Sequence, residues 1–274
     1  MPTNSRVIDL DGFNKIVNGR DATYLVNEND TYVGQALLRY GEYGQQEFAL
    51  LSAITSAGSV VAEIGANMGA HTVRLAKHIG MQGRIVAFEP QPVLFQALCG
   101  TIALNSLMNV DCYPYALSSE TGQLVIPTLD YRQQNNFGGI SFENPSDNGL
   151  PVPLNKFDDV FILPRLDLMK IDVEGMELRV LEGAEAMINK FRPVIYMEND
   201  HKAKSPALLQ WLFDHDYRVW WHTPALFNAD NFFQNPENVY GNVCSLNVLA
   251  IRRDADTNIG LNEVTDANAF PNLG

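Results

Sequence analysis

Val60-Val-Ala-Glu-Ile-Gly-Ala-Asn-Met-Gly69 is the stretch on which the reading of this chain turns. The apolar run Val60, Val61, Ala62 and Ile64 reads as a buried parallel strand. Gly65, Ala66, Asn67 and Gly69 end it in a small-residue turn, and a helix is expected from about His71 to Ile79. Strand, glycine turn and helix together predict a corner where backbone N–H groups and a helix N-terminus face a ligand. Glu63, two residues before the first glycine, sets the sign of that ligand: it repels a pyrophosphate and attracts an ammonium or sulfonium.

That preference points to S-adenosylmethionine rather than to a dinucleotide. The next strand, Arg84-Ile-Val-Ala-Phe-Glu-Pro90, carries Glu89 at its carboxyl end. In doubly wound nucleotide sites an acid roughly 20 residues past the glycine turn accepts hydrogen bonds from ribose hydroxyls. Glu63, Gly65, Gly69 and Glu89, in this order, are more specific than a glycine turn alone.

A third element, Asp167-Leu-Met-Lys-Ile-Asp-Val-Glu-Gly-Met-Glu-Leu-Arg-Val-Leu-Glu-Gly-Ala184, resembles the signature segment of the FkbM-type S-adenosylmethionine-dependent methyltransferases. Glu63 to Gly69 and Ala87-Phe-Glu-Pro90 look like that family's first two motifs, and Gly41 to Glu47 and Ala116 to Ser118 also fit. The resemblance spans about residues 40–251. It implies an α/β, Rossmann-like, doubly wound and mostly parallel sheet of class I methyltransferase type, most often acting on oxygen. It does not fix the acceptor, a small molecule or a saccharide.

The 274 residues suffice for one large α/β domain or a domain with a small cap. We expect an N-terminal arm and cap helix over 1–57, a core over 58–251 and a polar tail over 252–274. Nineteen basic against 32 acidic residues give a net charge of −13, with no basic stripe, which disfavours a nucleic-acid partner. No apolar run approaches the ~18 residues of a membrane span, and the N-terminus lacks the layout of a secretory signal, so a cytoplasmic protein with no membrane partner is expected. Cys99, Cys112 and Cys244 suggest neither a disulfide framework nor a metal site.

Residues 1–30 read as an arm or short hairpin, and 45–57 as a helix. Strand and helix then alternate: 59–64, helix 71–79, 84–88, helix 91–105, 109–114. After a break the order resumes with strand 167–172, helix 177–190, strand 193–198, helix 205–215 and strand 217–221, and 243–251 is a plausible last strand. The break over 131–155, with Gly138 and Gly139, is too long for an ordinary connection and is expected to be a lid.

Ligands of open α/β sheets bind at the carboxyl ends of the strands, near the topological switch point. The expected cofactor residues are therefore Glu63, Gly65, Ala66, Asn67, Gly69, His71, Glu89, Pro90, Ala116, Leu117, Ser118 and Asp172. By resemblance, Ser118 would contact the adenine. Methyl transfer to a hydroxyl needs alignment and a proton acceptor. Asp172, Glu174, Glu198 and His201 are the expected catalytic residues, with Asp200 and His222 as further candidates. Asp172 ends an apolar strand and is expected to be partly desolvated with a raised pKa. No metal ligand set of diagnostic spacing is present, so no metal is expected. Two alternatives stay open. One is a nicotinamide-dependent oxidoreductase, against which Asn67 stands in the middle glycine position. The other is a catalytically silent S-adenosylmethionine-binding module.

Overall fold

The computed structural model describes residues 6–142, 148–256 and 259–271. Where an arm or hairpin was expected, Val7–Asp9 (β1), Asn14–Asn18 (β2) and Thr23–Asn27 (β3) form a three-stranded antiparallel sheet. Alternation decides it: Val17 and Tyr24 are buried between partly exposed neighbours, and Val26 is buried as well, with Asn27 beside it breaking the pattern at the strand end. Val33–Tyr40 (α1), a helix not expected from the sequence, and Gln45–Ile54 (α2) complete the N-terminal cap.

The core follows as Val60–Ile64 (β4), Thr72–Ile79 (α3), Arg84–Phe88 (β5), Pro92–Leu104 (α4) and Val110–Tyr113 (β6). Ala116–Leu117 (β7), Gly122–Pro127 (β8) and Gly149–Asn155 (β9) form a small separate sheet in the order β7-β9-β8. Phe157–Val160 (α5), Leu168–Ile171 (β10), Glu177–Gly183 (α6), Glu185–Phe191 (α7), Val194–Glu198 (β11), Ser205–Asp214 (α8) and Tyr217–His222 (β12) come next. Asn247–Arg252 (β13) and Glu263–Val264 (β14) end the series.

The central sheet runs β14-β12-β13-β11-β10-β4-β5-β6. The five strands from β11 to β6 pair in parallel, whereas β13 is antiparallel to both β11 and β12, and β14 is antiparallel to β12. The chain leaves β4 toward β5 and β6 and later returns on its other side with β10 and β11. The switch point therefore lies between β4 and β10, beside the glycine turn. One face packs Val61, Leu75 and Leu98 with the N-terminal cap; the other packs Ile64, Phe88, Phe157, Leu181 and Leu209. This is the expected doubly wound sheet with helices on both faces.

Four expectations need correction. The helix expected over 177–190 is two helices that meet at Ala184. A Cβ on Gly183 would lie 1.9 Å from the Ser118 carbonyl oxygen, so α6 ends pressed against the β7 segment. The last long strand starts at Asn247, not at 243. The tail is not merely polar: Val264 is buried in β14, and Phe270 meets Trp221 edge-on at 5.5 Å. Finally, 149–155 is a strand hydrogen-bonded to β8, and Phe137 is fully buried against Tyr131 at 4.6 Å. The stretch expected as a lid is thus tied down over much of its described length; its residues 143–147 lie outside the described residues, as do 257–258 and 272–274 of the tail. Among the described residues no helix is long and apolar enough to cross a membrane.

Candidate active site

The parallel register sets a polar row across the buried sheet. Glu63 on β4 lies opposite Lys170 on β10, which lies opposite Tyr196 on β11. All three are at most 3% exposed. Lys170 donates to Asp172 Oδ2 at 3.1 Å. Burial works against the Lys170 charge, but Asp172, Glu63 and Glu47 outweigh it and raise its pKa, so it stays an ammonium. The Glu63 carboxyl is pushed up to about 6 by burial, which Lys170 partly offsets. Its Oε2 is buried and has no hydrogen-bond partner.

The glycine turn differs from expectation in where its amides go. The N–H groups of Gly65 and Ala66 both donate to the Phe88 carbonyl, and Gly69 donates to Ala66. Met68 N–H donates to Asn67 Oδ1, and Asn67, at φ 51°, donates its own N–H to Glu89 Oε2 at 2.9 Å. Every amide from Gly65 to Gly69 is therefore used inside the protein. The turn offers no N–H cradle to a phosphate, in keeping with the sign set by Glu63. Gly69 serves packing instead, because a Cβ there would lie 2.9 Å from Leu98 on α4.

Glu89 is 4% exposed, and its other oxygen accepts the Gln91 N–H at 2.9 Å. Burial pushes its carboxyl up to about 7. Two cavities meet at this residue. The smaller, about 490 Å³, is mostly apolar, with Phe88, Tyr115, Leu117, Leu124, Phe142 and Met176 in its walls, and Pro90 and Ala116 also line it. The larger, about 1410 Å³ with its open mouth, is lined by Ala66, Asn67, His71, Lys170 and a set of carboxylates. Gly65, Glu89, Gly138, Asp172 and Glu174 border both.

His71 stands just ahead of α3, 5% exposed, with Nδ1 unpartnered. Burial, then Lys170 and Arg74, hold its pKa well below the usual imidazole value, so the ring is neutral. The expected catalytic acids converge: Asp172, Glu174 and Glu198 each offer an oxygen within 4.8 Å of the others. Asp172 is not the desolvated member, since its side chain is 40% exposed and paired with Lys170. Burial, followed by Asp172 and Asp200, pushes Glu174 up to about 8. Burial, followed by Asp172, Glu174 and Asp200, raises Glu198 well above the carboxylate range. Glu177, from the same signature segment, accepts the N–H groups of Val173 and Gly175 at 3.2 and 3.0 Å and holds this turn closed.

Of the expected cofactor and catalytic residues, Gly69, Ser118 and His201 line neither cavity, nor does the further candidate His222. Ser118 spends its N–H on the Asn155 carbonyl and is fully buried behind β7, because α6 presses on it at Gly183. His201 packs its ring beside Gly175. In compensation, the large cavity takes Tyr43 and Glu47 from the cap and Ser245 and Asn247 from ahead of and within β13. Glu47 had a signal in the sequence: it is a charge within the apolar pattern of α2. It is 5% exposed, and Ser245 Oγ donates to it at 3.0 Å. Tyr43 lies in the Gly41 to Glu47 stretch that fits the family, with no role attached to it there, and Ser245 and Asn247 had no signal.

The chain is similar to known proteins. The family model "Methyltransferase FkbM domain" matches residues 63–219, more than half of the chain. Methyltransferase sdnD of Sordaria araneosa is 30% identical over 156 residues, which are 46% of this chain and 60% of that protein. The chain thus matches less than two thirds of that relative's length. Among solved structures, a methyltransferase FkbM of Methylobacillus flagellatus KT has a TM-score of 0.49 at 16% identity, covering 71% of this chain and 44% of that one. TYW2 of M. jannaschii, in complex with AdoMet, has a TM-score of 0.44 at 13% identity, covering 89% and 87%.

Proposed function

The chain belongs to the FkbM methyltransferase family, and from that premise we propose that it methylates a hydroxyl of a small molecule or saccharide. The cofactor is S-adenosylmethionine. The observation that carries the reading is Glu89 at the junction of an apolar and a polar cavity. Its carboxylate has lone pairs beyond those given to Asn67 and Gln91, suited to ribose hydroxyls. The apolar walls of Phe88, Leu117 and Met176 suit an adenine ring. The buried, unpartnered Glu63 Oε2 suits the ammonium of the methionine end. An orphaned acid and a turn with no free N–H fit this group and not a pyrophosphate, so the nicotinamide alternative loses its support.

When bound, S-adenosylmethionine supplies a methyl group on a sulfonium that leaves readily. The protein's share is alignment and proton removal. Lys170 holds Asp172 in place, and Glu177 fixes the backbone that carries Glu174. We assign proton acceptance from the acceptor hydroxyl to the Asp172, Glu174 and Glu198 group, which lines the large cavity. We further read the whole chain as one cytoplasmic methyltransferase domain with no nucleic-acid partner.

Calorimetry with S-adenosylmethionine, its demethylated product and NAD tests the class. We expect binding of the first two and not of NAD. A panel of hydroxyl compounds with methyl-labelled cofactor then tests the acceptor atom. Binding of NAD alone would overturn the reading.

A further inference from the structure

The imidazole of His71 is enclosed by protein and makes fewer hydrogen bonds than it has atoms to make them. The residue is 5% exposed, its ring is neutral, and Nδ1 is buried without a partner. Nε2 stands 3.7 Å from Oε2 of Glu47, beyond hydrogen-bond length, and Glu47 is itself 5% exposed. The other Glu47 oxygen accepts Ser245 Oγ at 3.0 Å. A buried polar atom left without a partner is costly, so a ring kept for packing alone would serve better as phenylalanine.

The cap is nonetheless built around this ring. A Cβ on Gly44 would lie 2.5 Å from His71 Cε1 and 2.8 Å from Nε2, so only glycine leaves the ring its place. Tyr43 meets it edge-on at 5.6 Å. About one turn further along α3, Arg74 grips the same stretch of the cap. It donates to the Tyr43 carbonyl at 3.1 Å and to Gln45 Oε1, and its guanidinium lies 3.9 Å from the centre of the Phe48 ring. Tyr43, Glu47 and His71 all line the large cavity. The donor's ribose, adenine and ammonium already have counterparts in Glu89, the smaller cavity and Glu63.

We propose that Glu47 and His71 form a recognition pair for the acceptor and take a hydroxyl other than the one that is methylated. A hydroxyl between them donates to the carboxylate and accepts from the ring N–H, the exchange that the two residues do not complete with each other. An ammonium has no lone pair for the ring, and an anion has no proton for the carboxylate. The acceptor then carries at least two hydroxyls, as a neutral sugar or a cyclitol does. That an acceptor is what binds here rests on the methyltransferase reading; the pair's fit to a hydroxyl does not.

The probes are methyl α-glucoside, methyl α-galactoside and myo-inositol, with cyclohexanol as the one-hydroxyl control. Each is offered to the full chain saturated with the demethylated cofactor, and saturation-transfer NMR reads binding into the millimolar range. We expect transfer to at least one polyol and less to cyclohexanol. In E47Q and in H71F the polyol affinity should fall by about 10- to 100-fold, with S-adenosylmethionine affinity within about threefold of the wild type. H71F should melt no lower than the wild type, because it removes an unpartnered nitrogen. A pair kept for packing would give the reverse, a lower melting temperature with polyol binding unchanged, and that result would overturn the proposal. So would no transfer to any of the polyols, equal binding of cyclohexanol, or cofactor affinity lost in E47Q. Calorimetry on the same samples separates the two failures. Cofactor binding without polyol binding sinks the pair alone, whereas polyol binding that E47Q weakens, without cofactor binding, leaves the pair standing and sinks the methyltransferase reading.

Discussion

Gly65 approaches Asp172 so closely that a Cβ built on the glycine would lie 1.7 Å from the Asp172 carbonyl oxygen. The glycine also sits at φ 85°. Its first duty is therefore to let the end of β4 touch the end of β10, where the switch point opens. Gly65→Ala should destabilise the fold by about 3 kcal/mol or more, from overpacking against backbone together with left-handed strain. Urea unfolding measures this, and near-native stability would show that the two strand ends can separate at little cost.

Glu89→Gln keeps one acceptor oxygen but loses the charge and one of the two backbone contacts to Asn67 and Gln91. Charge-assisted hydrogen bonds are worth roughly 1.5–3 kcal/mol each. Affinity for S-adenosylmethionine should fall by about 10- to 100-fold, with a lower melting temperature as a second sign. Calorimetry on the purified variant is the check, and undiminished affinity would remove Glu89 from the ribose role.

The same residue predicts a pH dependence. Burial pushes its carboxyl up to about 7, and ribose hydroxyls favour the ionised form. Cofactor affinity should therefore rise with pH by up to about tenfold per unit below that value and level off above it. The cofactor-free fold should respond in the opposite sense. A carboxyl raised from 4.5 contributes stability that is present below 4.5 and lost as pH climbs through about 7. Binding isotherms and melting curves across this window report both slopes.

Gln91 Nε2 donates to the Phe137 carbonyl at 2.7 Å, and Phe137 N–H reaches the buried Asp30. The loop over the two cavities is thereby tied to the residue next but one to Glu89 and to the N-terminal cap. Cofactor binding should slow amide exchange at 136–140 by about tenfold or more, with Phe137 protected even in its absence. Equal exchange with and without cofactor would mean that this loop takes no part in closure.

Asp172→Asn removes a charge from the acid trio and from Lys170. Turnover should drop by about 10²–10⁴, while cofactor affinity stays within a few-fold. Methyl-label transfer and calorimetry separate the two effects. Lost cofactor binding with intact folding would make Asp172 a cofactor ligand instead.

The parallel strands were legible because buried strands of α/β sheets are continuous apolar runs, as at Val60–Ile64 and Leu168–Ile171, and the residues after them fall on the ligand rim by topology. The N-terminal sheet was not, because Asn14, Lys15 and Asn18 dilute its alternation and its packing partners, Leu98 and Ile102, are far along the chain. The strand of Glu263 and Val264 is too short to show any period. For Ser118 and His201, rim position was legible but side-chain direction was not, since it depends on which helix presses on the loop from behind. The trio of acids was visible as residues and invisible as a cluster, because convergence of β10 and β11 is a matter of register.

Every residue lining the smaller cavity falls within 63–219, the part of the chain shared with the family. The larger cavity borrows Tyr32, Val33, Tyr43 and Glu47 from before that part, and Leu226 and 243–247 from after it. On the proposed reading, the pocket for the donor's adenine lies wholly within the shared segment, whereas the wall of the acceptor cavity is built partly from stretches outside it. Substitutions before residue 63 and after residue 219 can therefore reshape the larger cavity without touching any residue that lines the smaller one. Grafting the flanks of one relative onto the centre of another is then the natural route to retargeting methylation.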